Sequence, residues 1–423
     1  MEEVIKIEGG KRLKGTVRIS GSKNATVALI PAAILASAGP VTICGVPEIS
    51  DVASLSDLLR ELNVTVVQKE PDVIVIDPTE TKNIVLDHEA VTKLRASYYF
   101  MGALLGKYGE VTMKMPGGCY LGPRPIDLHL KGFEALGATV DYQHGNYHIY
   151  AKELIGAQIF LDIASVGATI NIMMAAVHAK GRTTINNAAK EPEIIDVVTL
   201  LNKMGAQIRG AGTNVITIDG IDTPLNGCFH EIIPDRIEAG TFIIMAAAAA
   251  DEMIIENIIP QHLEALLSKL KEMNVDMDID VDKVTIRRSD DLVAVDIQTL
   301  PYPGFATDLQ QPMTPLLTKA NGQSYVKETI YSERFKHCVE LQRMGANIQL
   351  LPSAASIIGP AKLYGDSVVA TDLRCGASLV VAGLIAEGIT EIHDVYHIDR
   401  GYDNLDKKLQ LLGANIWRET VEK

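Results

Sequence analysis

The sequence predicts a mixed α/β protein of two domains, each a ring of sheets around three buried helices. Its 423 residues are two to three times the ~100–200 expected of one domain. One pattern recurs six times along them: an amphipathic helix, a Gly or Asn stop, then an alternating strand. The stops are Asn63, Gly137, Gly205, Asn274, Gly345 and Gly413, spaced 68 to 74 residues apart. Between these helices lies a second class, rich in Ala, Gly, Met and Ile and apolar around most of the circumference, which must be buried on nearly every side.

In chain order the buried helices are expected near 22–38, 95–105, 165–179, 236–250, 307–320 and 372–386. The amphipathic helices carry their apolar residues on one stripe, as in Ile194, Val197, Val198, Leu201 and Met204, and again in Leu263, Leu266, Leu267, Leu270 and Met273. Gly or Asn after the last turn supplies the left-handed residue that ends such a helix. Strands such as 41–44, 183–186, 253–257 and 390–393 follow the buried helices directly. With three repeats to a domain the boundary falls near 228–234, and pattern alone leaves open which half owns residues 1 to 21.

The chain is 47% hydrophobic and 22% charged with a net charge of −14, a globular composition that argues against nucleic-acid or anionic-membrane binding. Five scattered cysteines with no Cys-x-x-Cys pair and no nearby His argue against a disulfide framework or a metal site. The apolar stretch from Ala239 to Ala250 is too short to span a bilayer. The opening Met-Glu-Glu lacks the positive charge of an export signal, so a cytoplasmic protein is expected.

The buried helices hold charges in their first turns: Lys23, Arg95, Arg236, Asp308, Asp372 and Arg374. A cation there opposes the helix dipole unless an anion joins it, so these turns are candidate anion sites. Arg236, between Asp235 and Glu238, reads equally as an internal ion pair, whereas Lys23 has no acid beside it in sequence. The segment from Met115 to His129 holds three Gly and three Pro, which predicts a shaped loop carrying Cys119 five residues before Arg124. A thiol in such a loop suggests nucleophile or acid chemistry on an anionic substrate, while Cys44, Cys228, Cys338 and Cys375 read as inert core residues. Arg334 and Arg400 stand in turns after strands, and no phosphate loop or dinucleotide fingerprint occurs.

Ser20-Gly-Ser-Lys-Asn24, Arg95-Ala-Ser97, Pro116-Gly-Gly-Cys119 with Arg124 and His129, Ser165-Val-Gly167, Glu191-Pro-Glu193, Pro234-Asp-Arg-x-Glu238, Asp372-Leu-Arg374 and Tyr396-His-Ile-Asp-Arg-Gly401 together resemble the enolpyruvyl transferase family. The likeness spans the whole chain and is closest to the branch acting on UDP-N-acetylglucosamine, because the Cys loop is lacking in the shikimate-pathway branch. It implies two inverse α/β prism domains, 22–229 and 1–21 with 230–423, and an active site in the cleft between them. The implied reaction moves the enolpyruvyl group of phosphoenolpyruvate to the 3′-hydroxyl of UDP-N-acetylglucosamine, releasing phosphate in the first committed step of peptidoglycan synthesis. Transfer to shikimate 3-phosphate and a catalytically silent UDP-sugar-binding paralogue are the alternatives.

By the same resemblance Lys23, Asn24, Arg124 and Arg400 hold the phosphate of phosphoenolpyruvate, with Arg334 and Arg374 near its carboxylate. Arg95, Arg124, Pro125, Ile126, Asp127, Leu128, Ile163, Ala164, Ser165, Val166, Asp308 and Ile330 line the nucleotide-sugar site, although the turn Ile330-Tyr-Ser-Glu333 departs from the family's form. Cys119 is the implied acid and Asp308 the implied base, with Lys23 and Arg400 completing the catalytic set. No metal, cofactor or obligate protein partner is implied, and an epoxide phosphonate such as fosfomycin is an implied inhibitor.

Overall fold

The computed structural model describes residues 1–117 and 126–422. The described residues form two compact units: a first of residues 21–117 and 126–233, and a second of 1–20 and 234–422. Each has its own core of buried Leu, Ile, Val, Ala and Met.

Six inner helices lie in these cores: α1 (Lys23–Ala32), α2 (Tyr99–Tyr108) and α3 (Val166–Ala176) in the first unit, then α4 (Arg236–Ala249), α5 (Thr307–Leu317) and α6 (Leu373–Ile385) in the second. In the first unit α2 packs on both α1 and α3, and in the second all three pack on one another. Their burial explains their composition. From Ile237 to Ala249 every residue of α4 is buried, and each fully buried Ile, Phe or Met there contributes about 1.5–3 kcal/mol. α1 and α2 depart furthest from the expected bounds. Pro31 has no N–H to donate, so α1 tightens to a 3₁₀ turn at Ala33–Leu35 and Ala36–Ala38 becomes a strand. Arg95 lies not in α2 but in the 3₁₀ turn Arg95–Tyr98 ahead of it.

The six stops behave alike. Asn63, Gly137, Gly205, Asn274, Gly345 and Gly413 all have positive φ, between 61° and 115°. In each case the next residue reaches back five positions, as Ala138 N–H does to the Phe133 carbonyl at 3.0 Å and Ala206 to Leu201 at 3.0 Å. This closes the outer helix with a buried apolar contact across the turn. Non-glycine residues in this conformation are mostly Asn or Asp, which explains Asn at two of the six places.

Among the described residues the four-stranded sheets follow one plan. The strand after an inner helix pairs antiparallel with a hairpin and parallel with an edge strand delivered by the preceding repeat, as Arg182–Asn186 does with Val215–Asp219 and Gln158–Phe160. The first repeat of each unit has no predecessor. Phe229–Glu231 therefore returns to pair parallel with Val41–Cys44, and Leu13–Arg18 pairs parallel with Ala250–Glu256. Glu2–Glu8 fills the hairpin place between Ile389–His393 and Asn415–Val421. The amino-terminal strands thus belong to the second unit. No helix among the described residues is long and apolar enough to cross a membrane.

Candidate active site

In the second unit, the first turns of α5 and α6 meet. Asp308, second residue of α5, accepts from Arg334 Nη1 at 2.8 Å on Oδ1 and from Arg374 Nη2 at 3.2 Å on Oδ2. Both guanidiniums are 3% exposed and the carboxylate 24%. Burial by itself would favour protonation of Asp308, but Arg374 and Arg334, with Arg236 adding its charge, hold the carboxyl well below the usual carboxylate range. Asp372 caps α6 through the N–H groups of Arg374 and Cys375, both at 3.0 Å. Arg374 is seated over the Tyr402 ring at 5.2 Å, and the Tyr402 hydroxyl bonds Thr241 Oγ1 at 2.9 Å. Among the described residues Arg334 Nε and Arg374 Nη1 have no hydrogen-bond partner, so each buried guanidinium keeps a donor for a further acceptor.

Beside Arg236, both acids also serve other partners. Asp235 spends Oδ1 on the Ile237 and Glu238 amides, at 2.9 and 3.0 Å, and Glu238 takes the Ser20 amide and the Lys408 ammonium. Arg236 itself sits over the Tyr302 ring at 5.5 Å. Arg400 follows the short helix Tyr396–Asp399, where burial first and the Arg400 charge second lower the His397 pKa. Ile330 is 37% exposed in the turn that leads to Arg334.

In the first unit, Lys23 opens α1 behind the cap Ser22, whose Oγ accepts the Ala25 N–H at 3.1 Å. An acid does reach Lys23: Asp51, buried on the helix Ser50–Glu61, lies 3.3 Å from its Nζ. Asn24 follows on α1, and Ser165 caps α3 with Val166 as its first residue. Ile163 is exposed and Ala164 half-buried beside that cap. Asp127 opens the helix Asp127–Ala135, with Ile126 buried before it and Leu128 half-buried after it. Cys119, Arg124 and Pro125 lie outside the described residues.

A polar cluster joins these segments, bringing Arg95 and His129 together with two residues the sequence did not single out, Tyr98 and Asn171. Arg95 lies over the Tyr98 ring at 5.8 Å, and that ring meets His129 edge-on with centroids 4.9 Å apart. Asn171 accepts the Gly102 N–H at 2.9 Å and donates to Tyr98 O at 3.0 Å and His129 Nδ1 at 2.9 Å. His129 is therefore neutral with its proton on Nε2. Any Cβ at Gly167 would lie 2.8 Å from the Tyr98 hydroxyl and 2.9 Å from His129 Cε1, so only glycine lets α3 approach this pair. The signal in the sequence was Asn171 itself, a polar residue in an otherwise apolar helix.

Burial, and then Arg95, lower the His129 pKa from 6.5 to about 3. The unfolded chain then binds a proton that the native one refuses between those values, so this residue's contribution to stability falls as pH drops from about 6.5 towards 3. Urea midpoints should show wild type losing about 2 kcal/mol relative to His129→Gln between pH 7 and pH 5. A pH-independent difference would contradict the neutral assignment.

The profile of the EPSP synthase (3-phosphoshikimate 1-carboxyvinyltransferase) family matches residues 7–409. UDP-N-acetylglucosamine 1-carboxyvinyltransferase 2 of Geobacillus kaustophilus is 59% identical over 417 residues, covering 99% of this chain and 97% of the relative. The protein of the same name from Listeria monocytogenes is 56% identical over 421 residues, covering 100% and 99%. Among solved structures, the enolpyruvyl transferase NikO from Streptomyces tendae superposes with a TM-score of 0.90 at 27% identity over the whole of both chains. An EPSP synthase from Acinetobacter baumannii shares the fold with a TM-score of 0.75 at 18% identity, covering 99% of this chain and 100% of that one. Two inverse α/β prisms are the fold these neighbours share with it, and the chain belongs to the enolpyruvyl transferase family, that of EPSP synthase and the UDP-N-acetylglucosamine 1-carboxyvinyltransferases.

Proposed function

We propose that the chain transfers the enolpyruvyl group of phosphoenolpyruvate to the 3′-hydroxyl of UDP-N-acetylglucosamine, releasing phosphate, as the first committed step of peptidoglycan synthesis in the cytoplasm. The observation that carries this reading is the Asp308–Arg334–Arg374 cluster, with spare guanidinium donors, in a chain 59% identical to an enzyme of that name. The two arginines suit a carboxylate, which accepts the paired donors that a guanidinium presents. Lys23, Asn24, Arg124 and Arg400 hold the phosphate. Arg95, residues 124–128, 163–166, Asp308 and Ile330 receive the nucleotide sugar.

The chemistry needs one acid and one base. Carbon is slow to take a proton, so C3 of phosphoenolpyruvate requires a positioned acid, and a thiol with a reference pKa of ~8.5 is mostly protonated at neutral pH. Cys119 gives that proton while the 3′-oxygen bonds to C2 and its own proton passes to Asp308. The resulting tetrahedral ketal then loses a proton from C3 as its C2–O bond to phosphate breaks, leaving the enol ether. These steps move protons and exchange one carbon–oxygen bond for another, without redox change.

Inorganic phosphate should therefore appear only when both substrates are present, and equally in the presence of a chelator. Release that depends on added Mg²⁺, or that requires shikimate 3-phosphate in place of the nucleotide sugar, would refute the reading.

A further inference from the structure

Glu328 has no role in the site described so far. It follows the strand Gly322–Lys327, is 2% exposed, and precedes the turn that carries Ile330 and Arg334. Its Oε1 accepts from Thr299 Oγ1 at 2.7 Å and from the Ile330 and Tyr331 amides at 2.9 and 3.1 Å. Its Oε2 accepts from Thr307 Oγ1 at 3.0 Å and Gln310 Nε2 at 3.2 Å. One buried carboxylate thus gathers five donors from three separate segments.

An ionised carboxylate only accepts, and this fixes the direction of every bond around it. Thr307 must turn its single proton to Glu328, which leaves a lone pair for Arg334. Arg334 Nη1 donates to that oxygen at 3.0 Å and to Asp308 Oδ1 at 2.8 Å, so the guanidinium is held between two acceptors. Gln310 Nε2 also donates to the Arg334 carbonyl at 3.0 Å, and Thr299, its proton committed, accepts the Thr329 amide at 2.9 Å. We infer that Glu328 is a positioning residue: it sets the hydrogen-bond polarity that aims Arg334 and shapes the turn at Ile330. The inference deepens the proposed reaction and rests on it for its kinetic readout.

A glutamine at 328 must face its amide donors either to Thr307 and Gln310 or to the turn amides, and in both cases donors meet donors. The test compares Glu328→Gln, Thr307→Val, Thr307→Ser and the Gln/Val double variant. Glu328→Gln and Thr307→Val should each lower kcat/KM for phosphoenolpyruvate by about 10–10²-fold, chiefly through KM, the scale of a misplaced binding group. Thr307→Ser should retain wild-type values, and the double variant should be no worse than Glu328→Gln because both changes interrupt one chain. Additive losses, or an unchanged KM in Glu328→Gln, would overturn the inference. Should that variant not fold, the Val and Ser pair at Thr307 decides alone, equal KM values in the two being fatal.

Amide hydrogen exchange at Ile330 and Tyr331, measured without substrate, separates this inference from the reaction itself. Exchange should accelerate in Glu328→Gln and not in Thr307→Val. If wild type releases no phosphate, the proposed reaction fails, and unchanged exchange in Glu328→Gln then removes the positioning role as well.

Discussion

Replacing Cys119 with Ser should lower turnover by about 10²–10⁴-fold, the usual worth of a general acid, because a hydroxyl gives up its proton far less readily than a thiol. Aspartate at the same position should restore more activity than serine, since a carboxylic acid can still deliver a proton to C3. An epoxide phosphonate such as fosfomycin, whose phosphonate mimics phosphate, should alkylate Cys119 and leave the aspartate variant untouched. The other four cysteines are poor competitors for the label. Burial raises the Cys44 and Cys228 thiols, pushes Cys375 up to about 12 and lifts Cys338 further still, so none offers appreciable thiolate at neutral pH. Mass spectrometry that places the adduct on any of these four would remove Cys119 from its role.

What was legible in the sequence was what local chemistry decides. A left-handed residue after an amphipathic helix is a property of a few adjacent residues, and all six stops at Asn63, Gly137, Gly205, Asn274, Gly345 and Gly413 take that conformation. The inner helices were legible from composition, although Pro31 ended one of them early. The home of the amino-terminal strands came only from the family resemblance and not from pattern, because Glu2–Glu8 pairs with strands some four hundred residues away and no local pattern records a partner. The acid opposite Lys23 was missed for the same reason, Asp51 being brought there by the packing of two helices. Arg334, Arg374 and Asp308 could each be singled out as a charge in a turn or a first helical turn. That one carboxylate bridges both guanidiniums is a fact of three-dimensional packing. Glu328 gave no signal at all, since a glutamate after a strand ordinarily faces solvent.

Exchange of Asp308 for Asn should keep nucleotide-sugar affinity within a modest factor while kcat falls by about 10²–10⁴-fold, the scale of a lost general base. The structure makes this prediction demanding. A carboxylate bridged by Arg334 and Arg374 binds a proton too weakly to take one from a hydroxyl efficiently, and its affinity is held well below the ordinary range. In the proposed reaction phosphoenolpyruvate would supply the remedy, because its own negative charges would compete for the two guanidiniums and raise the proton affinity of the carboxylate beside them. The two pH profiles separate these states. The kcat/KM for phosphoenolpyruvate reports the free enzyme and should show no inflection from Asp308 near the ordinary carboxylate value of ~3.9 or above, whereas kcat reports the loaded enzyme and should show an acid limb displaced upward. In Asp308→Asn that limb should vanish with the rate. The same depression has a sign in stability: the ion cluster's contribution is fully present above the unfolded carboxyl's pKa and is lost only as pH falls through the native value beneath it. Arg334 and Arg374 left without their shared counter-ion should also make the variant less stable at neutral pH, which thermal unfolding would register independently of rate. A loss confined to KM, with kcat preserved, would mean that Asp308 binds the sugar nucleotide and takes no proton.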